Sequence, residues 1–385
     1  MRFEFSTVKR IVFGPGAAEE LAQGVSELGC RAFVLVGSDP RRFGRILDQL
    51  ASAQTTCQIF RTTGEPTTDV AQAAVISARR AQSQTVIAIG GGSVIDVGKV
   101  VAAMLTNEGE LLDYLEVVGA GKPLREKPVP YVAVPTTAGT GAEVTRNAVL
   151  RVPEHRVKVS MRSPLLLPQL AMIDPLLTHS MPPELTASTG LDALTQLIEP
   201  FVSNKANPLT DGVCREGLDR AGRSLRRAFR DGSDAQARED MAIASLFSGL
   251  ALANAALGAV HGFAGPLGGM TDAPHGAICG KLLPHVIETN VRALQARAPD
   301  SPALVRFDEV AHILTGRDAA RAPDAVSWIQ DLCTEFGLPG LSTYGLLQED
   351  LPAVAAQAKK ASSMKGNPVE LRDDELIEVL EKAMA

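Results

Sequence analysis

The feature that most constrains this chain is a series of short apolar runs set between amphipathic stretches. "RAFVLVG" (31–37), "TVIAIG" (85–90) and "VPYVAVP" (129–135) show no polar alternation, so each reads as a strand covered on both faces. "TTCQIF" (55–60) and "QLAMIDP" (169–175) are further strand candidates. Between them, "TTDVAQAAVISARRA" (67–81) and "VIDVGKVVAAML" (94–105) carry apolar residues at helical spacing, the first behind a Thr cap. This alternation predicts a parallel sheet with helices on both faces. "NAVLRVPEHRVKVSM" (147–161) predicts a polar hairpin turning at Pro153-Glu154. After about residue 180 helical periods take over, with candidate helices at 190–203, 208–230, 237–256, 276–293, 321–336 and 373–384. A chain of 385 residues can support two cores. The expected organisation is an α/β domain, 1–175, with a Rossmann-like parallel sheet, and an all-α domain, 176–385, with the ligand in the cleft between them.

"AIGGGSVIDVGK" (88–99) sets Gly90, Gly91, Gly92 and Ser93 between a strand and a helix. Glycines there admit a ligand close to the backbone, and the helix N-terminus offers free N–H groups to a phosphate. The plainer alternative, a βα turn, needs only one glycine. In an ordinary dinucleotide fold the glycine loop comes first and the ribose-binding acid about 20 residues later. Here the candidate acid, Asp39, comes first, so the strand order is not the usual one. Asp39 either bonds a ribose diol, which favours NAD over NADP, or closes an Asx turn in "SDP". "PTTAGTGAEVT" (135–145) brings Thr136, Thr137, Thr140 and Gly141 to the same sheet edge, as cofactor contacts or as a long turn.

Asp192 and Gln196, in "GLDALTQLIEPFVS" (190–203), sit four apart at what reads as a helix start, hence on one face. His261, in "GAVHGFAGPLGGM", and His275, in "TDAPHGAICG", each precede a glycine and read as loop or helix-end histidines. A carboxylate, an amide and two imidazoles suit one divalent ion, although no local spacing signature requires it. The net charge of −6 gives no reason to expect nucleic acid or an anionic membrane as partner. The five cysteines are scattered with no CxxC pair, which suggests a reducing, cytoplasmic setting. No leader-like or membrane-spanning apolar run is evident.

In these blocks, together with "FGPG" (13–16), "MIDP" (172–175), "APHGAICGKLLPHVIETN" (273–290) and "NPVEL" (367–371), the chain resembles the iron-containing, or group III, alcohol dehydrogenases over nearly its whole length. The resemblance implies the dehydroquinate synthase-like fold of that family and reversible hydride transfer between an alcohol and an aldehyde or ketone. It implies NAD, with NADP less favoured, bound through Gly91, Gly92, Ser93, Asp96, Thr136, Thr137 and Thr140. It also implies Asp39 as the mark of NAD preference and Lys158 near the nicotinamide. A divalent iron or zinc would be held by Asp192, the position of Gln196, His261 and His275, with His261, His275 and Lys158 the catalytic candidates. A small-molecule substrate and a homodimer are the expected partners. Two departures stand out: Gln196 where the family has a histidine, and Gly265 where it often has a second, proton-relaying histidine. They keep open a metal-independent reductase of the maleylacetate type and a NAD-binding protein without turnover.

Overall fold

The computed structural model describes residues 2–25, 27–155 and 157–385. Thr7–Ser180 forms one compact unit, and Met181–Ala385 with the segment up to Ser6 forms another. The first unit contains strands β1 (Arg10–Phe13), β2 (Arg31–Val36), β3 (Thr56–Arg61), β4 (Thr85–Gly90), β5 (Tyr131–Pro135), β6 (Asn147–Val152), β7 (Val157–Arg162) and β8 (Leu170–Ile173). Its helices are α1 (Leu21–Val25), α2 (Gly44–Ser52), α3 (Thr68–Arg80) and α4 (Gly92–Met104).

Six strands make one parallel sheet in the order β1-β8-β5-β4-β2-β3, and β6 pairs antiparallel with β7 as the expected hairpin. The unbroken apolar runs have a direct cause. Phe33, Leu35, Val86, Ala88 and Ala133 face one core with α3 and α4, while Val34, Val36, Ile87, Ile89, Val132 and Val134 face a second core with α1 and α2. Successive side chains of a strand point to opposite faces, so burial on both faces leaves no place for a polar residue. Each Val, Leu, Ile or Phe among them contributes about 1.5–3 kcal/mol when fully buried. The strand β1 pairs in register with β8, Arg10 against Leu170 through Phe13 against Ile173, and supplies one sheet edge. Its exposed Arg10 and Ile11 hide it from a search for apolar runs.

The connections define where a ligand can sit. From β2 the chain passes by α2 to the edge strand β3. It returns by α3, packed on the opposite face, to β4 on the far side of β2, and α4 follows on that same face. Adjacent strands whose following helices leave to opposite faces form a topological switch point, with a crevice at their carboxyl ends. In this chain those ends are Gly37–Asp39 after β2 and Gly90–Ser93 after β4.

The second unit is helical: α5 (Pro183–Val202), α6 (Pro208–Arg230), α7 (Ala235–Ala255), α8 (Ala259–Met270), α9 (His275–Arg297), α10 (Pro302–Thr315), α11 (Ala322–Glu335), α12 (Leu351–Lys360) and α13 (Asp373–Ala383). Helix α5 packs on α6, α7 and α9 and is buried almost throughout from Thr186 to Val202. It begins seven residues before the sequence-based start, because Pro183 opens it and the exposed first turn carries no apolar periodicity. Helices α8, α10 and α12 were not anticipated. In α8, Gly262, Gly265, Gly268, Gly269 and Pro266 all argue against a helix by propensity. Tertiary packing overrides them, since Phe263 and Leu267 are wholly buried and a Cβ on Gly262 would lie 2.8 Å from Met364 Cε. Among the described residues no single helix is long and apolar enough to cross a membrane.

Candidate functional site

Around the switch point the two loops named from the sequence meet. Thr136 N–H donates to Gly90 O at 3.0 Å, and Gly37 N–H donates to Ile89 O at 3.3 Å. A Cβ on Gly91 would lie 3.3 Å from the Thr137 side chain, and one on Gly92 would lie 2.8 Å from Thr140 Oγ1. A Cβ on Gly90 would lie 2.4 Å from Val94 Cγ2. Close packing within this unit therefore favours glycine most strongly at Gly90 and Gly92, and none of the three glycines holds the positive φ that a plain βα turn would need. The packing also leaves the N-terminus of α4 with Gly91 as its cap residue and no capping side chain, next to three threonines. Uncapped N–H groups at a helix start are suited to a phosphate.

Asp39 closes a turn with one carboxylate oxygen and pairs with Arg41 through the other. Its Oδ1 accepts from Arg41 N–H at 3.0 Å and its Oδ2 from Arg41 Nε–H at 2.8 Å. Those bonds hold its carboxyl down at about 2, so it is ionised at the mouth of β2. Asp96 is committed to the protein. Its Oδ2 accepts from Val149 N–H at 3.0 Å and its Oδ1 lies 3.6 Å from Lys99 Nζ, so it ties α4 to β6. Burial pushes the Asp96 carboxyl up, against the pull of Lys99 and Val149. Lys99, wholly buried, donates to Thr145 Oγ1 at 2.8 Å and Asn147 O at 2.7 Å. Glu143, on the threonine loop and 2% exposed, is pushed up to about 7 by burial. Lys158, on β7, forms an ion pair with Glu65 at 2.7 Å.

In the helical unit the structure brings Asp192, His261 and His275 together and adds Cys279. One donor atom from each of the four lies within 4.8 Å of every other. Asp192 Oδ1 is 3.4 Å from His261 Nε2 and 3.6 Å from His275 Nε2. Cys279 Sγ is 3.8 Å from Asp192 Oδ1, 3.9 Å from His261 Nε2 and 3.8 Å from His275 Nε2. The local folding explains the convergence. Asp192 lies midway along the buried α5, not at a helix start, and the two histidines lie in the first turns of α8 and α9, the helix-end placement of the two expected. His275 and Cys279 stand four apart on α9, on one face. Glu199 fixes one imidazole: His261 Nδ1–H donates to Glu199 Oε2 at 2.6 Å, and Val260 N–H donates to Oε1 at 2.7 Å. With Nδ1 protonated, the Nε2 lone pair points at the cluster.

A carboxylate, two imidazoles and a thiol within this span are a donor set that fits iron or zinc. Burial drives both imidazoles down, but Cys279 and the carboxylates outweigh it and hold His261 well above, and His275 above, the ordinary value. Burial raises the Cys279 thiol, and the two imidazoles more than reverse that. Gln196, expected as the second ligand, hydrogen-bonds the Asp192 carboxylate and helps to hold it ionised. The amide meets that carboxylate through its N–H, and its oxygen, buried and in no hydrogen bond, keeps the donor character expected of it. Cys279 and Glu199 escaped the sequence reading. The signals were there: Cys279 follows His275 by four, and Glu199 follows Asp192 by seven on the same helix face.

Comparison with known structures and sequences gives the class first. The crystal structure of a 1,3-propanediol oxidoreductase matches 100% of this chain and 100% of its own at TM-score 0.91 and 33% identity. Sulfoacetaldehyde reductase from Bifidobacterium kashiwanohense, solved in complex with NAD+, matches 100% of this chain and 99% of its own at TM-score 0.87 and 28% identity. The fold is therefore that of the iron-containing alcohol dehydrogenases. The family models for iron-containing alcohol dehydrogenase and for its C-terminal region match residues 8–175 and 186–384. The 1,3-propanediol dehydrogenase of Klebsiella pneumoniae is 38% identical over 307 residues, which cover 79% of this chain and 77% of that protein. The chain belongs to the iron-containing alcohol dehydrogenase family, and it is an enzyme of alcohol and aldehyde oxidoreduction.

Proposed function

We propose that this enzyme interconverts a small primary alcohol and its aldehyde, with NAD(H) as the redox partner and a divalent metal at the α5–α8–α9 cluster. The observation that carries the reading is the convergence of Asp192, His261 and His275, from three separate helices, on one point. Relatives that bear the names of propanediol and alcohol dehydrogenases support the substrate class. The uncapped α4 N-terminus beside Thr136, Thr137 and Thr140 is the proposed pyrophosphate seat, and Asp39 at the end of β2 the proposed ribose contact.

When bound, NAD supplies the hydride acceptor and the divalent ion supplies Lewis-acid stabilisation of developing negative charge. The chain's own residues do the rest. Glu199 holds the proton on His261 Nδ1 and so keeps Nε2 available. Asp192 contributes the negative charge that makes a cation favourable in a buried site. His275, with its side chain 37% exposed, is the open member of the cluster and marks the side from which a substrate oxygen arrives. Nothing lies within 4 Å of a Cβ on Gly265, so that position offers room and no proton carrier. Ionised Asp39 opposes a 2′-phosphate by charge, which favours NAD over NADP.

The test is NADH oxidation by the zinc- or iron-loaded protein with propanal, 3-hydroxypropanal and 4-oxobutyrate, and NAD+ reduction with the matching alcohols. Turnover with NADH exceeding that with NADPH, and lost in Asp192→Ala, is expected. No turnover with any of these substrates under either metal would overturn the proposal.

A further inference from the structure

We propose that Cys279 is a metal ligand of this enzyme beside Asp192, His261 and His275, so that the site is an Asp–His–His–Cys centre built for zinc. This rests on the reading of the α5–α8–α9 cluster as a metal site and specifies its ligands. The geometry carries it. With zinc bonds of about 2.0–2.1 Å to O and N and about 2.3 Å to S, a tetrahedral site has edges of about 3.3 Å between O or N donors and about 3.6 Å from S to either. The observed edges are 3.4 and 3.6 Å from Asp192 to the two imidazoles, and 3.8, 3.9 and 3.8 Å from Cys279 Sγ to Asp192, His261 and His275. Cys279 Sγ is thus nearly equidistant from the other three donors, as the apex of a slightly expanded tetrahedron must be.

Gln196 supports Asp192 through its amide, and Cys279, wholly buried, reaches the cluster from α9. A Cβ on Gly276 would lie 1.8 Å from Ser188 O, so this turn of α9 lies tight against α5 and sets both His275 and Cys279 close to Asp192. Exchange of an imidazole for a thiolate changes metal preference. Thiolate is a soft donor that suits zinc, and zinc already stands above ferrous iron in affinity for N, O and S sites. The chain therefore keeps the fold of an iron-containing family and takes a ligand set that selects zinc.

The experiment loads the full-length protein with cobalt(II), which reports thiolate coordination by a near-ultraviolet charge-transfer band. The wild type is expected to show the band with one metal per chain. Gln196→Ala should retain the band and Cys279→Ser should lose it. X-ray absorption of the zinc-loaded wild type needs no variant and should show one sulfur scatterer at about 2.3 Å. Under anaerobic competition between equimolar zinc and ferrous iron, the wild type should retain zinc. One bound metal with no sulfur scatterer and no band would overturn the Cys279 assignment and leave the metal-dependent reading standing. Failure of the protein to bind zinc, cobalt or iron at all would overturn both.

Discussion

Glu143→Gln isolates the cost of a buried carboxyl in the loop that follows β5. Glu143 is 2% exposed, and burial pushes its pKa from 4.5 up to about 7, against the pull of its own backbone N–H and of Lys99. A raised acid pKa stabilises the folded state fully below the unfolded value and loses that contribution as pH rises through the folded one. The window here is pH 4.5 to 7. A shift of about 2.5 units at 1.36 kcal/mol each amounts to about 3 kcal/mol lost across that window. Gln has the shape of the neutral acid and cannot ionise. The variant should therefore match the wild type near pH 4 and exceed it by about 3 kcal/mol at pH 8. Hydrogen exchange of peptides from 131–162 reads the α/β unit locally, and fluorescence of Trp328, on α11, serves as a control in the helical unit. A stability difference that is the same at pH 4 and pH 8 would refute the reasoning, because it would mean that Glu143 has equal pKa values in the folded and unfolded chain.

Four further outcomes follow from particular contacts. Glu199→Gln places an amide N–H where His261 Nδ1–H now donates and should weaken zinc binding by about 10–100-fold, measured by competition with a chromophoric chelator. Lys99→Met leaves the largely covered Asp96 with the Val149 N–H and no cation, and should cost about 2–3 kcal/mol in urea unfolding of the α/β unit. Ala256, between α7 and α8, holds φ 60° and ψ 167°, a region that belongs to glycine, so Ala256→Gly should raise stability by about 1 kcal/mol. Asp39→Ser removes the charge that opposes a 2′-phosphate and should lower KM for NADP by about tenfold, with kcat for NAD little changed.

The sheet was legible because its chemistry is repetitive. Strands buried on both faces must be apolar without interruption, and β2, β4 and β5 announce themselves so. The glycine and threonine loops were legible for the same kind of reason, since each must follow a strand in such a fold. Asp192, His261 and His275 could be named from their blocks, and the histidines do stand at helix ends, although periodicity alone placed Asp192 at a helix start. Helix α8 illustrates the obstacle: its glycines and Pro266 speak against a helix, and only burial of Phe263 and Leu267 overrules them.

The sequence by itself determined the alternation of elements, the family, and three of the four donors that meet in the helical unit. Tertiary structure alone decided the fourth. Gln196 and Cys279 are separated by more than eighty positions, and no periodicity relates them. Only the packing of α9 against α5 shows that the amide supports Asp192 while the thiol reaches the cluster. It also showed that Asp96 is tied to β6 and that Asp39 closes a turn. Local patterns report which face of an element is buried; they carry no information about which distant side chain meets it there.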